Sequence, residues 1–432
     1  MLNGAGQLAT TVIGGNTYLA VTGNHDNGVS LFRIDTTGLT ITGTAGADIV
    51  DATHAPAGQL SPGDLGDTIL GLGGNDILRG LGGNDALEGG ADNDTLDGDS
   101  GADTMAGGAG NDGYVVDSAG DIADESVAGS SGIDTVLSAT VSINLADATH
   151  FKGSIENAAL LDGAILNLMG NALANTLTGN AAANTIDGGP GADKLYGGGD
   201  NDTLRGGDGN DTLDGGPGFD TLRGGLGNDT YVLGNDVNLV ADGGGTADLA
   251  TTTTTRSLLL EGLSNVERLT LVSGNINGTG NTLANTIIGS IGNNILKGYL
   301  GNDTLSAGAG NDTLYGEAGI DRLSGGAGKD AFVFNVAPTF ANRDTITDFS
   351  HRDDTIKLAH AFFKGMGTGP LKSQYFFAGS HAHDGDDHII YNKAAGALYY
   401  DGDGTGGHAQ VLFAVIGDHG SAGLASNDFV LI

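Results

Sequence analysis

The chain has 432 residues, 80 of them glycine and none cysteine, and its 53 acidic against 17 basic residues give a formal charge of −36. That charge argues against a nucleic-acid partner, since an acidic surface repels phosphate. The lack of cysteine rules out disulfides and thiolate metal sites, and no run of 18 apolar residues is present to span a membrane as a helix. Two readings of the acidity compete, a disordered acidic chain and a set of cation sites, and the spacing of the carboxylates decides between them.

In chain order, the opening residues MLNGAGQLATTVIGG have neither the basic region nor the apolar stretch of a standard signal peptide. Residues 17–21 and 29–34 read as two strands around a turn at 23–28, a short β segment (1–42) that resembles a fragment of a β-propeller blade. A first array, 43–116, follows. Its Asp67, Asp76, Asp85, Asp94, Asp103 and Asp112 stand nine residues apart. An isolated match at 43–51, with Asp48 at the key position, either begins this array or has no role. A second array, 170–232, carries Asn175, Asn184, Asp193, Asp202, Asp211, Asp220 and Asp229. A third, 280–334, carries Asn285, Asn294, Asp303, Asp312, Asp321 and Asp330. Two residues after nearly every one comes an apolar side chain, such as Leu78, Leu213 or Leu305. A Gly-rich stretch precedes each.

This period predicts an all-β fold. The three residues around each apolar position form a short strand. A six-residue loop, whose glycines supply the positive φ of a tight turn, reverses the chain. Two strands and two loops make an eighteen-residue coil, and stacked coils give two parallel sheets with a thin ladder of leucines between them. Two such side chains per coil are too few to offset a backbone entropy of roughly 1–2 kcal/mol per residue, so a second source of stability is needed. Aspartates eighteen residues apart share an edge, and the turns add backbone carbonyls, with Gly188, Gly197, Gly206, Gly215 and Gly224 as candidate carbonyl ligands. Six to eight hard oxygens suit Ca²⁺ better than Mg²⁺. The expected pairs are Asp67/Asp85, Asp76/Asp94, Asp85/Asp103, Asp94/Asp112, Asp193/Asp211, Asp202/Asp220, Asp211/Asp229, Asp303/Asp321 and Asp312/Asp330. These nine ions would cancel half of the formal charge of −36. Without metal, the stacked carboxylates repel.

The nonapeptide beginning Gly206-Gly207-Asp208-Gly209-Asn210-Asp211 resembles the G-G-x-G-x-D-x-U-x repeat of the secreted RTX proteins at every fixed position, as does the one from Gly188 to Tyr196. The resemblance implies a parallel β-roll (β-solenoid) with Ca²⁺ between successive loops. Asn175, Asn184, Asn285 and Asn294 depart from the pattern and have no charge to offer, so those coils are expected to stack without an ion. The Asp67 repeat is irregular, with Pro62 and Leu65 where glycine is usual.

The spacers 117–169 and 233–279 carry alternating apolar runs, at 135–137 and 268–271, and share an echo around Glu156 and Glu267. They read as further solenoid strands with looser loops. The threonine run 251–255 favours extended structure or a flexible linker. In 335–432 glycine falls and aromatics rise, and Ile389–Asn392 and Ala397–Tyr400 read as a hairpin across 393–396. This block, with residues 343–350 before the hairpin and 401–406 after it, resembles the C-terminal domain of serralysin-type secreted metalloproteases. It is the expected C-terminal capping and secretion domain. The last residues, Asp428, Phe429, Val430, Leu431 and Ile432, resemble an uncleaved type I (ABC transporter) secretion signal, and also an ordinary final strand.

No H-E-x-x-H, no G-x-S-x-G and no cysteine nucleophile is present, so no catalytic residue is assigned. The cluster His381, His383, Asp384, Asp387 and His388 falls short of an H-x-H-x-D-H zinc motif and reads as a solvated loop. Residues 401–406 resemble an EF-hand loop, but Leu412 stands where that loop needs Glu. The expected function is a non-enzymatic, secreted, extracellular calcium-binding repeat protein that folds on Ca²⁺ after export by the type I machinery. The alternatives are the calcium-binding export portion of a secreted hydrolase lacking its catalytic domain, and a surface or biofilm adhesin using the roll as a rigid spacer.

Overall fold

A computed structural model describes residues 5–13, 16–23, 29–34 and 38–432, except 162, 235–238, 242, 261, 405–408 and 418–422. The chain divides into two compact units, Met1–Thr185 and Ile186–Ile432, a boundary inside the predicted second array. Nearly every element is a β-strand, and no helix among the described residues is long and apolar enough to cross a membrane.

In the first unit, Thr40–Thr42, Thr68–Gly73, Ala86–Ala91, Thr104–Ala109, Ile122–Glu125 and Phe151–Gly153 pair in parallel as one sheet. A second sheet runs through Ile49–Val50, Ile77–Arg79, Thr95–Asp97, Gly113–Val115, Thr135–Ser138, Asn157–Leu160 and Thr176–Thr178. The register follows the sequence period: Ile69 lies beside Leu87, and Leu87 beside Met105, at eighteen-residue steps. Asp48 does begin the first array, since the strand after it pairs with Ile77–Arg79. The first spacer supplies coils of the same stack, lengthened to 22 residues where Gly113 pairs with Thr135 and Thr135 with Asn157.

In the second unit one long sheet runs from Lys194–Tyr196 through Thr212–Asp214, Thr230–Leu233, Leu249–Thr252, Arg268–Leu271, Thr286–Ile288, Thr304–Ser306 and Arg322–Ser324 to Asp344–Ile346. Facing strands form Thr203–Asp208, Thr221–Leu226 and Leu239–Val240, and then Ile295–Leu300, Thr313–Ala318, Ala331–Phe334 and Thr355–Leu358. The threonine run is part of this stack through Leu249–Thr252 rather than a linker. The expected three-residue strands alternate with six-residue ones, because on one side the pairing continues into the glycine turn, as where Gly207 meets Gly225.

The alternation along each repeat places Asp, the apolar residue and the next glycine inward. Asp211, Leu213 and Gly215 are buried, while Thr212 and Asp214 are half-buried between them. Leu78 and Leu96 in the first unit, and Leu195, Leu213 and Leu305 in the second, are fully buried in the core of their own unit. Tyr114, Tyr231 and Phe332 take the apolar position at the ends of the three arrays, and all three are fully buried.

Beyond the stack, Ile389–Asn392 and Ala397–Tyr400 form the expected antiparallel hairpin, and Val411–Ile416 joins it to Asp344–Ile346. Its core is aromatic, with Phe413 edge-on to Phe334 and Phe363 at 5.2 Å each. Phe429–Leu431 pairs in parallel with Thr355–Leu358. At the other end, Ala5–Ile13, Asn16–Gly23 and Val29–Ile34 make an antiparallel meander. Two of these strands were expected and Ala5–Ile13 was not; most of the predicted turn between the second and third lies outside the described residues.

Candidate metal centre

None of the fifteen predicted aspartates is more than 3 % exposed. Their carboxylates do not line an outer edge; they point into the coil ends, and each is tied to its neighbour by one repeated bond. The backbone N–H of one aspartate donates to Oδ1 of the next, a coil later: Asp76 to Asp94 (2.8 Å), Asp85 to Asp103 (2.7 Å), Asp94 to Asp112 (2.7 Å), Asp211 to Asp229 (2.9 Å), Asp303 to Asp321 (2.8 Å) and Asp312 to Asp330 (2.9 Å). Asp67 donates to Asp85, Asp193 to Asp211, and Asp202 to Asp220 in the same way. The structure thus joins every predicted pair, through backbone and one carboxylate oxygen.

The second oxygen separates two classes. Oδ2 of Asp76, Asp85, Asp94, Asp103, Asp112, Asp211, Asp229, Asp303, Asp312, Asp321 and Asp330 is buried with no hydrogen-bond partner. In each of these loops the residue four before the aspartate has positive φ, as at Leu72 (82°), Leu81 (76°), Gly207 (120°) and Tyr299 (81°), so its N–H does not reach the carboxylate. Leucine or tyrosine in that region is strained by about 1–3 kcal/mol, a cost tolerated mainly at functional sites. Asp67 belongs to the other class. Its Oδ2 accepts from Gly63 N–H (3.0 Å), four residues before it, and its Oδ1 from Leu39 N–H (2.5 Å). Asp48 and Asp354 are capped on the same pattern by Thr44 and Ser350.

The predicted glycines complete the cradle. A Cβ on Gly206 would lie closer than 3.0 Å to both Asp211 Oδ2 and the Gly224 carbonyl. On Gly188 and Gly197 it would meet the carbonyls of Gly206 (2.7 Å) and Gly215 (2.6 Å), again beside the loop's own carboxylate. At Gly224 the phenol of Tyr231 takes the place of the next carbonyl, and Gly224 N–H donates to it at 3.0 Å. An orphaned anionic oxygen facing a backbone carbonyl has only acceptors around it, which is a donor set for a hard cation and for nothing neutral.

The asparagine coils show what replaces the cation. Asn175, Asn184, Asn285 and Asn294 each accept an N–H from four residues before on Oδ1, and each donates Nδ2 to carbonyls of the preceding coil, such as Glu156, Leu166, Val266 and Ile276. An amide supplies donor and acceptor together, so these coils close without metal. The same bonds explain the echo in the spacers. Glu156 and Glu267 end the carboxylate ladders: Asp112 N–H reaches Asp134 and Asp134 N–H reaches Glu156 (3.0 Å), while Asp229 reaches Asp248 and Asp248 reaches Glu267 (3.0 Å). The nonapeptide period did not reveal Asp134 and Asp248, because they sit 22 and 19 residues along rather than 18.

Burial pushes Asp94, Asp103 and Asp303 up to about 7, and Asp85 and Asp211 up to about 6. Neighbouring carboxylates add a smaller push, Asp112 and Asp76 in the case of Asp94. Desolvation therefore outweighs the mutual repulsion on which the sequence argument rested. These acids have folded pKa values above their unfolded ones, so the metal-free fold takes up protons. Its stability is full below the ordinary carboxylate range and is lost as pH rises through about 6–7. In chelator, the far-UV β signal is expected to be larger at pH 5.5 than at pH 8, and saturating calcium is expected to remove the difference. Equal chelator signals at the two pH values would contradict this.

A second expectation follows from the two classes of aspartate. Asp94→Asn should lower the number of calcium ions bound per chain, and Asp67→Asn should leave it unchanged, as counted by native mass spectrometry. Equal losses would show that the capped oxygen of Asp67 is as good a ligand as an orphaned one.

In the zinc-like cluster, ligand atoms of His383, Asp384 and Asp387 lie within 4.8 Å of one another, and His388 is buried. His383 and Asp384 are exposed, and buried Asp387 spends Oδ2 on the N–H groups of those two residues. Asp401 Oδ1 accepts from the N–H groups of Asp403 and Gly404, as expected of a turn.

The family model for the RTX calcium-binding nonapeptide repeat (4 copies) matches at residues 62–96, 80–114, 169–204, 205–240, 279–314 and 307–335. Among curated proteins none matches the chain. The matched stretches contain every orphaned aspartate named above.

Proposed function

From the premise that this chain is an RTX calcium-binding repeat protein, we propose that it is a secreted, non-enzymatic calcium-binding protein whose coils fold when calcium fills the cradles. The observation that carries this reading is the row of buried Oδ2 atoms without hydrogen-bond partners. An ionised carboxylate taken from water with nothing to pair with is expensive, and a divalent ion held by Oδ2 and the facing carbonyls removes that cost. Calcium bound only by the folded coils stabilises them by mass action. At the 10⁻⁴–10⁻³ M affinities of many extracellular modules, cytosolic calcium leaves the chain unfolded and calcium outside the cell folds it.

The C-terminus fits the same sequence of events. Phe429 and Leu431 are buried in the strand beside Thr355–Leu358, so an exporter of the type I class would have to read this segment before folding hides it. Calorimetric titration of the metal-free chain tests the proposal. Ca²⁺ is expected to bind at several sites together with a gain of β signal, and Mg²⁺ at the same concentrations to produce little of either. Binding of Ca²⁺ without structural gain, or an equal response to Mg²⁺, would reject it.

A further inference from the structure

We infer that Asp112, Glu125 and Asp134 form a divalent-cation site that lies outside the nonapeptide pattern and closes the first array. Metal-ligating oxygens of these three buried residues all lie within 4.8 Å of one another. Oxygens on opposite sides of a calcium ion stand about 4.6–5.2 Å apart, from Ca–O distances of 2.3–2.6 Å. The inference rests on the calcium-binding reading above and extends it to a residue the repeat does not contain.

Register explains how Glu125 comes to be there. Met105 pairs with Ala123, so two residues on, Gly107 of the last regular coil is matched by Glu125. Glu125 therefore stands where a regular repeat has its cradle glycine, and its side chain follows the inward pattern of that strand. Two neighbouring changes accompany it. Alanine replaces the usual leucine at position 123, and the Tyr114 phenol fills the space above Gly107, where other coils present a glycine carbonyl. Gly107 N–H donates to the Tyr114 hydroxyl (2.7 Å), and that hydroxyl donates to Glu125 Oε1. The phenol thereby orients the carboxylate and leaves Oε2 for another partner.

The Ser130 hydroxyl lies near this carboxylate but makes no hydrogen bond with Oε2. Glu125 is only 7 % exposed, yet its Oε2 is buried without a hydrogen-bond partner, as is Oδ2 of Asp112. A cavity of about 140 Å³ opens beside them, lined by Glu125, Asp134, Ser130, Ser131, Gly132 and Ser154. That is room for an ion with several waters, at about 30 Å³ each. The donors are all oxygen, which suits calcium and excludes the soft-ligand metals. In this arrangement the Glu125 carboxylate takes over from the glycine carbonyl that the next regular coil would have supplied. The third array ends differently: Asp348, at the corresponding place opposite Gly325, is saturated by Ser324 Oγ and the N–H groups of Gly325 and Gly326.

Native mass spectrometry of the full chain in calcium tests the site. Glu125→Gln is expected to bind one ion fewer than the native chain, and Glu88→Gln, at an exposed strand position, to bind the same number. An unchanged count in Glu125→Gln overturns the inference. A second readout does not depend on that variant folding. The chain has no tryptophan, so terbium bound in place of calcium is sensitised by tyrosine. Tyr114→Phe is expected to lower terbium emission, and undiminished emission would place no ion beside Tyr114. A native chain that binds no calcium at all would instead refute the function proposed above.

Discussion

In excess chelator at pH 8 the chain is expected to lose most of its β signal and to swell towards the roughly 75 Å radius of gyration of an unfolded chain of this length. The size of the effect follows from how little else holds the coils. Each regular coil buries two large apolar side chains, such as Leu204 and Leu213. Ordering its backbone costs roughly 1–2 kcal/mol per residue. The same coil also holds two buried carboxylates, whose desolvation acts against folding wherever no cation is bound. Small-angle scattering and circular dichroism, with and without calcium, measure both quantities. A chain that stays compact and β-rich in chelator would mean that leucine packing and the N–H to Oδ1 bonds suffice.

Gly206→Ala is expected to be among the most damaging single-methyl changes in the second array. Gly206 has no positive φ, so backbone conformation is not what forbids alanine there. The added Cβ would lie closer than 3.0 Å to both Asp211 Oδ2 and the Gly224 carbonyl, the oxygens that face each other across the cradle. Moving them apart disrupts the pairing of Gly207 with Gly225 and the ion they would share. The variant should bind at least one ion fewer, and its calcium-induced folding should require several-fold more calcium. Gly46→Ala is the matched control, because a Cβ there meets nothing within 4 Å. Equal calcium midpoints for the two variants would show that the cradle is not where the ion binds.

Much of this architecture could be read from the nine-residue period. A repeat that alternates Asp, apolar residue and glycine at every second position has one solution as a strand, and it explains the pairing of Leu204 with Leu222 and of Leu213 with Tyr231. The direction of the carboxylates could not be read from it. The period gives their spacing, and only the pleat shows that Asp211 faces the same way as Leu213. The ladder also continues past the end of the motif. Asp134, Asp248 and Asp344 keep the N–H to carboxylate bond, although insertions shift them 22, 19 and 23 residues from their partners. Glu156 and Glu267 left a trace in sequence as a repeated short string, but their role as ladder ends depends on contacts nearly a full coil or more away.

The most direct test of the cradle is a crystal structure grown in calcium, with ions located by anomalous scattering. The account predicts peaks against Oδ2 of Asp94, Asp211 and Asp303, each also within bonding distance of a glycine carbonyl one coil on, and no peak at Asp67. Calcium-saturated crystals in which those three oxygens face no ion would contradict it.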